Sequence, residues 1–326
     1  MRHARLARAV LAALGAAACG RRAAPLEPAA PAAALEAYAS GDLSAADAAA
    51  AGVAAAAPHD ARARNWRGRL KLERLDFKGA EEEFSRAIDL DPMFAVAWYN
   101  RGNVRIDLGS LPQALEDLGK AASLDGELEG APYSAGTAKQ EMGDFRGAAE
   151  AYAIALKVNS GMRQALLRRA EALASAGDRD EALALLDRAV REDPAAAGSL
   201  MQRGRLKEAL HDPAAAAEDY SRVVELLPDE TIGYRLRAGA LQEALKLDAA
   251  AADYTTALEK TPADAELLMR RGRIRYFQGR YADATTDWMK AYKLDASYGA
   301  EVRAFLQHIA SKLPKAAEAA KKAGKK

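Results

Sequence analysis

The chain has 326 residues, half of them apolar, a formal charge of +1 and a single cysteine. The near-neutral balance excludes the electrostatic footprint that nucleic-acid binding needs, and one cysteine excludes an intramolecular disulfide. The length allows two ordinary domains or one elongated one, so the pattern along the chain has to decide.

The first element is a leader. Arg2, Arg5 and Arg8 flank and precede an apolar stretch that ends in Ala16-Ala17-Ala18, directly before Cys19. A basic segment, a short apolar run and small residues before a cut describe a secretory signal over 1–18, and the run is too short to span a bilayer. Loss of those three arginines takes the charge from +1 to −2 on the mature chain. The leader resembles a bacterial lipoprotein signal, in which the cysteine becomes the lipid-modified first residue. That resemblance implies a lipid on Cys19. With Gly20 rather than an aspartate next to it, it implies the periplasmic side of the outer membrane. Ala16–Ala18 suit the ordinary signal peptidase equally, so a soluble periplasmic protein is the alternative. Residues 19–31, with Pro25, Pro28 and Pro31, read as a linker that holds the rest of the chain off the membrane.

A repeat then takes over. Alanine recurs every 34 residues at Ala46, Ala80, Ala114, Ala148, Ala182, Ala216, Ala250 and Ala284. Small residues keep the same beat at Ala34, Gly68, Gly102, Gly136, Ala170, Gly204, Ala238 and Gly272. So do bulky ones at Phe84, Leu118, Tyr152, Leu186, Tyr220, Tyr254 and Trp288, and Pro58, Pro92, Pro194, Pro228 and Pro262 close five units. A fixed period of this size means one supersecondary unit, copied and stacked. Within Ala95–Leu128 apolar residues step by three and four, and Leu108-Gly109-Ser110 breaks the run. Glycine stops one helix there and serine can cap the next, so the unit is two antiparallel helices. Turns are expected near residues 75, 109, 143, 177, 211, 245 and 279.

Trp98, Gly102, Leu108, Gly109, Ala114, Leu118 and Ala121 resemble the tetratricopeptide repeat (TPR). Eight gap-free units fit in 27–298, the first of them weak in bulky residues. The resemblance implies an all-α TPR solenoid, a right-handed superhelix whose concave groove is lined by the first helix of each pair. After the last unit, Val302, Phe305, Leu306, Ile309 and Leu313 share one apolar face, as a capping helix over 299–313 would need. The lysine-rich residues 314–326 read as a disordered tail.

Residues for chemistry are missing. His3, His59, His211 and His308 have no companions at metal-ligand spacing, and there is no phosphate loop or nucleophile elbow. The reading is a non-enzymatic protein with no cofactor. One charge pattern does carry information. The seventh position of the unit is Arg67, Arg101, Arg169, Arg203, Arg237 and Arg271. Sixteen residues later stand Glu83, Asp117, Leu185, Asp219, Asp253 and Asp287. Ala33 with Ala49, and Ala135 with Ala151, show arginine and acid lost together. Ion pairs within each hairpin explain this, and a basic ladder for an acidic ligand is the competing reading. Arg169, facing Leu185, is expected to find another acid, with Asp187 the nearest choice.

By the same family resemblance, the groove is lined by the second, fifth, sixth, ninth, twelfth and thirteenth positions of each unit. These are Asn65, Trp66, Arg69, Tyr99, Asn100, Asn103, Tyr133, Thr137, Gln140, Arg168, Arg205, Arg270, Arg273 and Tyr276, with Ser134, Gln202, Arg235 and Gln242 beside them. Amides and aromatics there suit a peptide, and arginines suit a carboxylate. The family's lysine–asparagine–arginine carboxylate clamp is matched only at Asn103 and Arg168. The expected function is therefore a protein–protein interaction scaffold or adaptor in the bacterial cell envelope, binding a partner segment in the groove. The alternative is a structural assembly factor of an envelope machine, of pilus or secretion type, working through its convex face or ends.

Overall fold

The computed structural model describes Ala37 and residues 40–323. The leader, Cys19 and the linker expected ahead of them lie outside the described residues. Regular structure among the described residues is entirely helical. The unbroken period predicts one elongated domain; the contacts divide the chain into two compact units, up to Leu185 and from Leu186.

The first unit holds α1 (Leu43–Ala56), α2 (Ala61–Glu73), α3 (Phe77–Leu90), α4 (Ala95–Asp107), α5 (Leu111–Leu124), α6 (Gly130–Glu141), α7 (Phe145–Val158) and α8 (Arg163–Ala176). The boundary falls inside α9 (Arg179–Glu192). The second unit holds α10 (Ala197–Ala209), α11 (Pro213–Leu226), α12 (Thr231–Glu243), α13 (Leu247–Lys260), α14 (Ala265–Phe277), α15 (Tyr281–Leu294) and, after a 3-10 turn at Ala296–Tyr298, α16 (Gly299–Ala323). In each unit a helix packs on its hairpin partner and then on the first helix of the next hairpin. This is helix-turn-helix stacking, and hydrophobic burial is shared between neighbours.

Every expected turn is present. The residue that leaves each first helix is left-handed at Gly41, Leu75, Gly109, Gly143, Gly177, His211, Leu245 and Gly279. The next amide donates five residues back, as from Asp76 to the Lys71 carbonyl and from Asp212 to the Lys207 carbonyl, both 2.9 Å. This is the Schellman closure, and it satisfies carbonyls the helix leaves orphaned. Asp76, Asp144 and Asp212 then cap the second helix through their side chains. Ser110 stands at the same place, but its hydroxyl makes no capping bond.

The small-residue slot sets how closely paired helices approach. A Cβ on Gly204 would lie 2.5 Å from the Tyr220 ring, and one on Gly68 2.6 Å from Phe84. Those rings are fully buried, as are Tyr152 against Gly136 and Trp288 against Gly272. The absent side chain is what lets an aromatic ring fill the crossing.

The cap follows the repeat logic. Gly299 stands one period after Ala265, so α16 occupies the first-helix slot of a further unit. Phe305 falls in the arginine slot and stacks on Trp288 at 4.2 Å. Leu306 falls in the small-residue slot, where its bulk leaves no room for a close second helix. Val302 and Ile309 are buried in the same cluster. The helix does not stop near residue 313. It continues to Ala323, where a disordered tail was expected from 314. Alanine and lysine, which dominate that segment, are strong helix formers.

Candidate functional site

Two sets of side chains on the first helices carry candidate function: the arginine ladder and the outward face beside it. The ladder decides which charges are spoken for.

Five predicted pairs form. Arg101 grips Asp117 with two nitrogens at 2.9 and 2.8 Å, Arg237 grips Asp253 at 2.7 and 2.7 Å, and Arg271 grips Asp287 at 2.9 and 2.8 Å. Arg203 holds Asp219 in the same bidentate way, and Arg67 reaches Glu83 with one nitrogen at 3.0 Å. The acids are almost fully buried, with Asp117 2% exposed. A buried carboxylate must be paired and hydrogen-bonded. Asp219 correspondingly raises the pKa of Arg203 through its hydrogen bonds, and Asp253 that of Arg237, against burial. Arg169 takes Glu181 at 2.6 Å. Asp187, the acid expected for it, belongs instead to Arg203 at 2.8 Å.

Two features of the ladder are invisible to a single-residue period. Further cations reinforce four acids: Arg64 and Arg86 on Glu83, Arg105 on Asp117, Lys207 on Asp219 and Arg275 on Asp287. The arginine's remaining nitrogen also crosses to the preceding hairpin. It reaches Ser85 from Arg101, Ser221 from Arg237 and Thr255 from Arg271, at 3.2 to 3.4 Å. Arg101, Arg203, Arg237 and Arg271 thus each tie their own hairpin together and join it to the one before. Their charge is used inside the fold, so the ladder is a structural device.

The predicted face residues separate into a floor and a rim. In the first unit Asn65, Trp66, Tyr99, Asn100 and Tyr133 are buried. Asn100 donates from Nδ2 to Asn65 Oδ1 at 2.9 Å. Trp66 packs on Ala46, Ala50 and Leu70, and Tyr99 joins the cluster around Leu118 and Ala131. Tyr133 lies 5.4 Å from Tyr152 between ring centres. These five are therefore floor and give a ligand little open surface. Arg69, Asn103, Thr137 and Gln140 are half-exposed above them, and Arg168 is exposed beside Glu171 at 3.0 Å. In the second unit Arg205, Arg270 and Arg273 are exposed. Arg270 lies on Glu266 and Arg273 on Glu301, each at 2.6 Å. Tyr276 is half-buried among Phe277, Tyr281, Trp288, Phe305 and His308.

The second helices add hydroxyls that the groove positions alone do not include. Tyr152 donates to Gln140 Oε1 at 3.1 Å and lies 3.3 Å from the Thr137 hydroxyl. Tyr220 donates to Glu208 at 2.8 Å. Burial pushes the Tyr152 hydroxyl up to about 12, and burial also pushes Glu208 above its ordinary value. The sequence signal was tyrosine at a fully buried slot that elsewhere takes Phe84 or Leu118, since a buried hydroxyl needs a destination. Among the described residues no group of three His, Cys, Asp or Glu is placed to hold a metal ion. No described helix is long and apolar enough to cross a membrane.

Comparison with known proteins accounts for this stacking. A fungal protein of Mycosarcoma maydis, small glutamine-rich tetratricopeptide repeat-containing protein 2, is 29% identical over 106 residues, covering 32% of this chain and 30% of that protein. Among solved structures, the C-terminal part of a TPR protein from Cytophaga hutchinsonii superimposes with a TM-score of 0.60 at 16% identity. The match covers 70% of this chain and 94% of that one. A tetratricopeptide repeat protein from Parabacteroides merdae gives 0.54 at 18% identity, covering 74% and 95%. These identities speak to the fold alone. The tetratricopeptide-repeat profile matches residues 32–92, 67–127, 133–197 and 235–300, well over half of the sequence, and the chain belongs to the tetratricopeptide-repeat family.

Proposed function

We propose that this protein is a non-enzymatic scaffold of the bacterial cell envelope. It holds a segment of another protein along the first-helix face of its hairpins. A lipid on Cys19 tethers it to the periplasmic side of the outer membrane. Tetratricopeptide repeats generally mediate protein–protein interactions, and the ladder charges are consumed internally. The observation that carries the reading is the rim of polar and charged side chains that stays accessible on that face. Arg69, Asn103, Thr137 and Gln140 in one unit, and Arg205, Arg270 and Arg273 in the other, stay accessible over a packed floor. Amide and hydroxyl groups there match an extended backbone, and guanidinium groups match carboxylates.

The test is affinity capture from native membranes, comparing the wild-type chain with Asn103→Ala/Gln140→Ala. These positions are half-exposed, so the variant should fold. Loss of the captured proteins supports face binding. Full retention overturns it in favour of assembly through the other face or the ends. The anchor is tested separately by fatty-acid labelling. Cys19→Ser should abolish the label and release the protein, and a wild-type protein found wholly in the soluble periplasmic fraction would refute the tether.

A further inference from the structure

Charge is unevenly placed along the chain. Residues 265–326 hold fourteen lysines and arginines against six acids, a surplus of eight, although the mature chain as a whole carries −2. In the last hairpin five arginines are paired within the fold: Arg270 with Glu266, Arg271 and Arg275 with Asp287, Arg273 with Glu301 and Arg280 with Asp283. Asp295 accepts from the Ser297 amide at 2.8 Å. Lys290, Lys293 and Arg303 are exposed and have no ion pair among the described residues. Lys312, Lys315, Lys321 and Lys322 follow along α16.

The unpaired cations are interleaved with apolar side chains. Met289, Tyr292 and Leu294 are 38%, 39% and 50% exposed. At about 100° per residue, positions 289, 290, 292, 293 and 294 fall on one continuous side of the last turns of α15. Buried Trp288 and Ala291 take the opposite side. Around the helix the order is Tyr292, Met289, Lys293, Lys290, Leu294. Arg303 joins them from α16. A Cβ on Gly299 would lie 2.8 Å from the Tyr292 ring and 3.7 Å from an Arg303 nitrogen, so both side chains flank that glycine. Tyr292 stands at the place that Ile88, Val190 and Leu258 bury in other hairpins. Its ring is left partly in solvent with a polar tip, the form of side chain that settles between apolar and aqueous phases.

We propose that this side of α15, with Arg303, docks on an anionic phospholipid bilayer. The inference rests on the tether reading above, which brings the chain to a membrane. Lys290, Lys293 and Arg303 donate to headgroup phosphates, while Tyr292, Met289 and Leu294 enter the boundary between headgroups and acyl chains. The lysines further along α16 add to the attraction. Six side chains fall well short of the about twenty per side that a stable protein interface needs. Lysine also makes no fixed bidentate grip, and a fluid field of phosphates requires none. The contact is reversible and salt-sensitive, so it orients a tethered chain without holding an untethered one.

The test uses the full mature chain carrying Cys19→Ser, so that no lipid contributes, and co-sedimentation with vesicles at low and moderate salt. Binding to vesicles of equal phosphatidylglycerol and phosphatidylcholine, little binding to phosphatidylcholine alone and weakening by salt are expected. Lys290→Gln, Lys293→Gln and Arg303→Gln should each lower affinity about fivefold. Leu294→Ser leaves the charge unchanged and should lower it about threefold, because its exposed half no longer leaves water for an apolar layer. All four positions are exposed, so melting temperatures that match the parent separate lost docking from lost folding. No preference for phosphatidylglycerol, or unchanged affinity in all three cation variants, overturns the proposal. Unchanged affinity in Leu294→Ser, with equally tight binding to long polyglutamate, also overturns it and assigns the surface to an acidic protein. Fatty-acid labelling of the wild-type chain is read separately. Label without vesicle binding defeats the docking surface and keeps the tether, and vesicle binding without label does the reverse.

Discussion

At the residue scale, the buried acids of the ladder are not equivalent, and their differences set testable orders. Asp117 has Arg101 and Arg105, whereas Asp253 has Arg237, with Leu241 standing where the second cation would be. Arg101→Ala leaves Asp117 still paired. Arg237→Ala leaves a buried carboxylate without its cation and should cost about 3 kcal/mol, clearly more than Arg101→Ala. Urea denaturation of both variants checks the order, and equal losses would mean Arg105 does not support Asp117. Glu208 shows the opposite sign of effect. Burial raises its pKa, so its folded state resists ionisation. Stability is therefore full below the ordinary glutamate value of 4.5 and is lost as pH rises through the higher folded value. Glu208→Gln keeps an acceptor for the Tyr220 hydroxyl and removes that penalty. It should raise the melting temperature at neutral pH, with the advantage vanishing below about pH 4.

At the element scale, the turns offer the clearest engineering test. Leu245 is left-handed at φ 59° and 81% exposed, where five other hairpins place glycine. A side chain there strains the backbone by about 1–2 kcal/mol, while glycine gives back about 0.4–1 kcal/mol through the unfolded chain. Leu245→Gly should thus stabilise by about 0.5 kcal/mol in denaturation, and a loss of stability would show the strain is relieved by the Schellman closure. These turns also show what the sequence made legible. Their places follow from the period alone, because the alanine and glycine slots mark where helices cross. The arginine–acid pairs were equally legible, since both partners keep their chemical type from unit to unit. The cross-hairpin partners were not. Ser85, Asp187, Ser221 and Thr255 share a slot and a role, but the slot also holds Gly119 and Ala153 and keeps no residue type along the chain. The face was half legible. Spacing puts Asn65, Tyr99 and Asn100 on the first helices, but only packing against the next hairpin decides that they are covered. The lysine-rich end was misread because charge suggested disorder where alanine and lysine sustain a helix.

At the scale of the whole molecule, stability is a sum of hairpins and of the joints between them. The joints are not alike. In the second unit arginine links run without a break from Asp187 through Arg203, from Ser221 through Arg237 and from Thr255 through Arg271. In the first unit the link from Ser85 through Arg101 ends at Asp117. The next places in the series are Gly119, Ala135 and Ala151, which cannot continue it. No arginine link therefore crosses from α5 to α6. Amide exchange should be faster in α6 than in α12 at equal solvent exposure, and equal protection would contradict the idea that these links stiffen a joint. A stack of hairpins behaves as a spring whose compliance is set joint by joint. One such unlinked joint in the first unit lies beside Thr137 and Gln140, so bending there changes the spacing of side chains that would hold a partner, and a ligand gripping both sides would stiffen the spring it sits on.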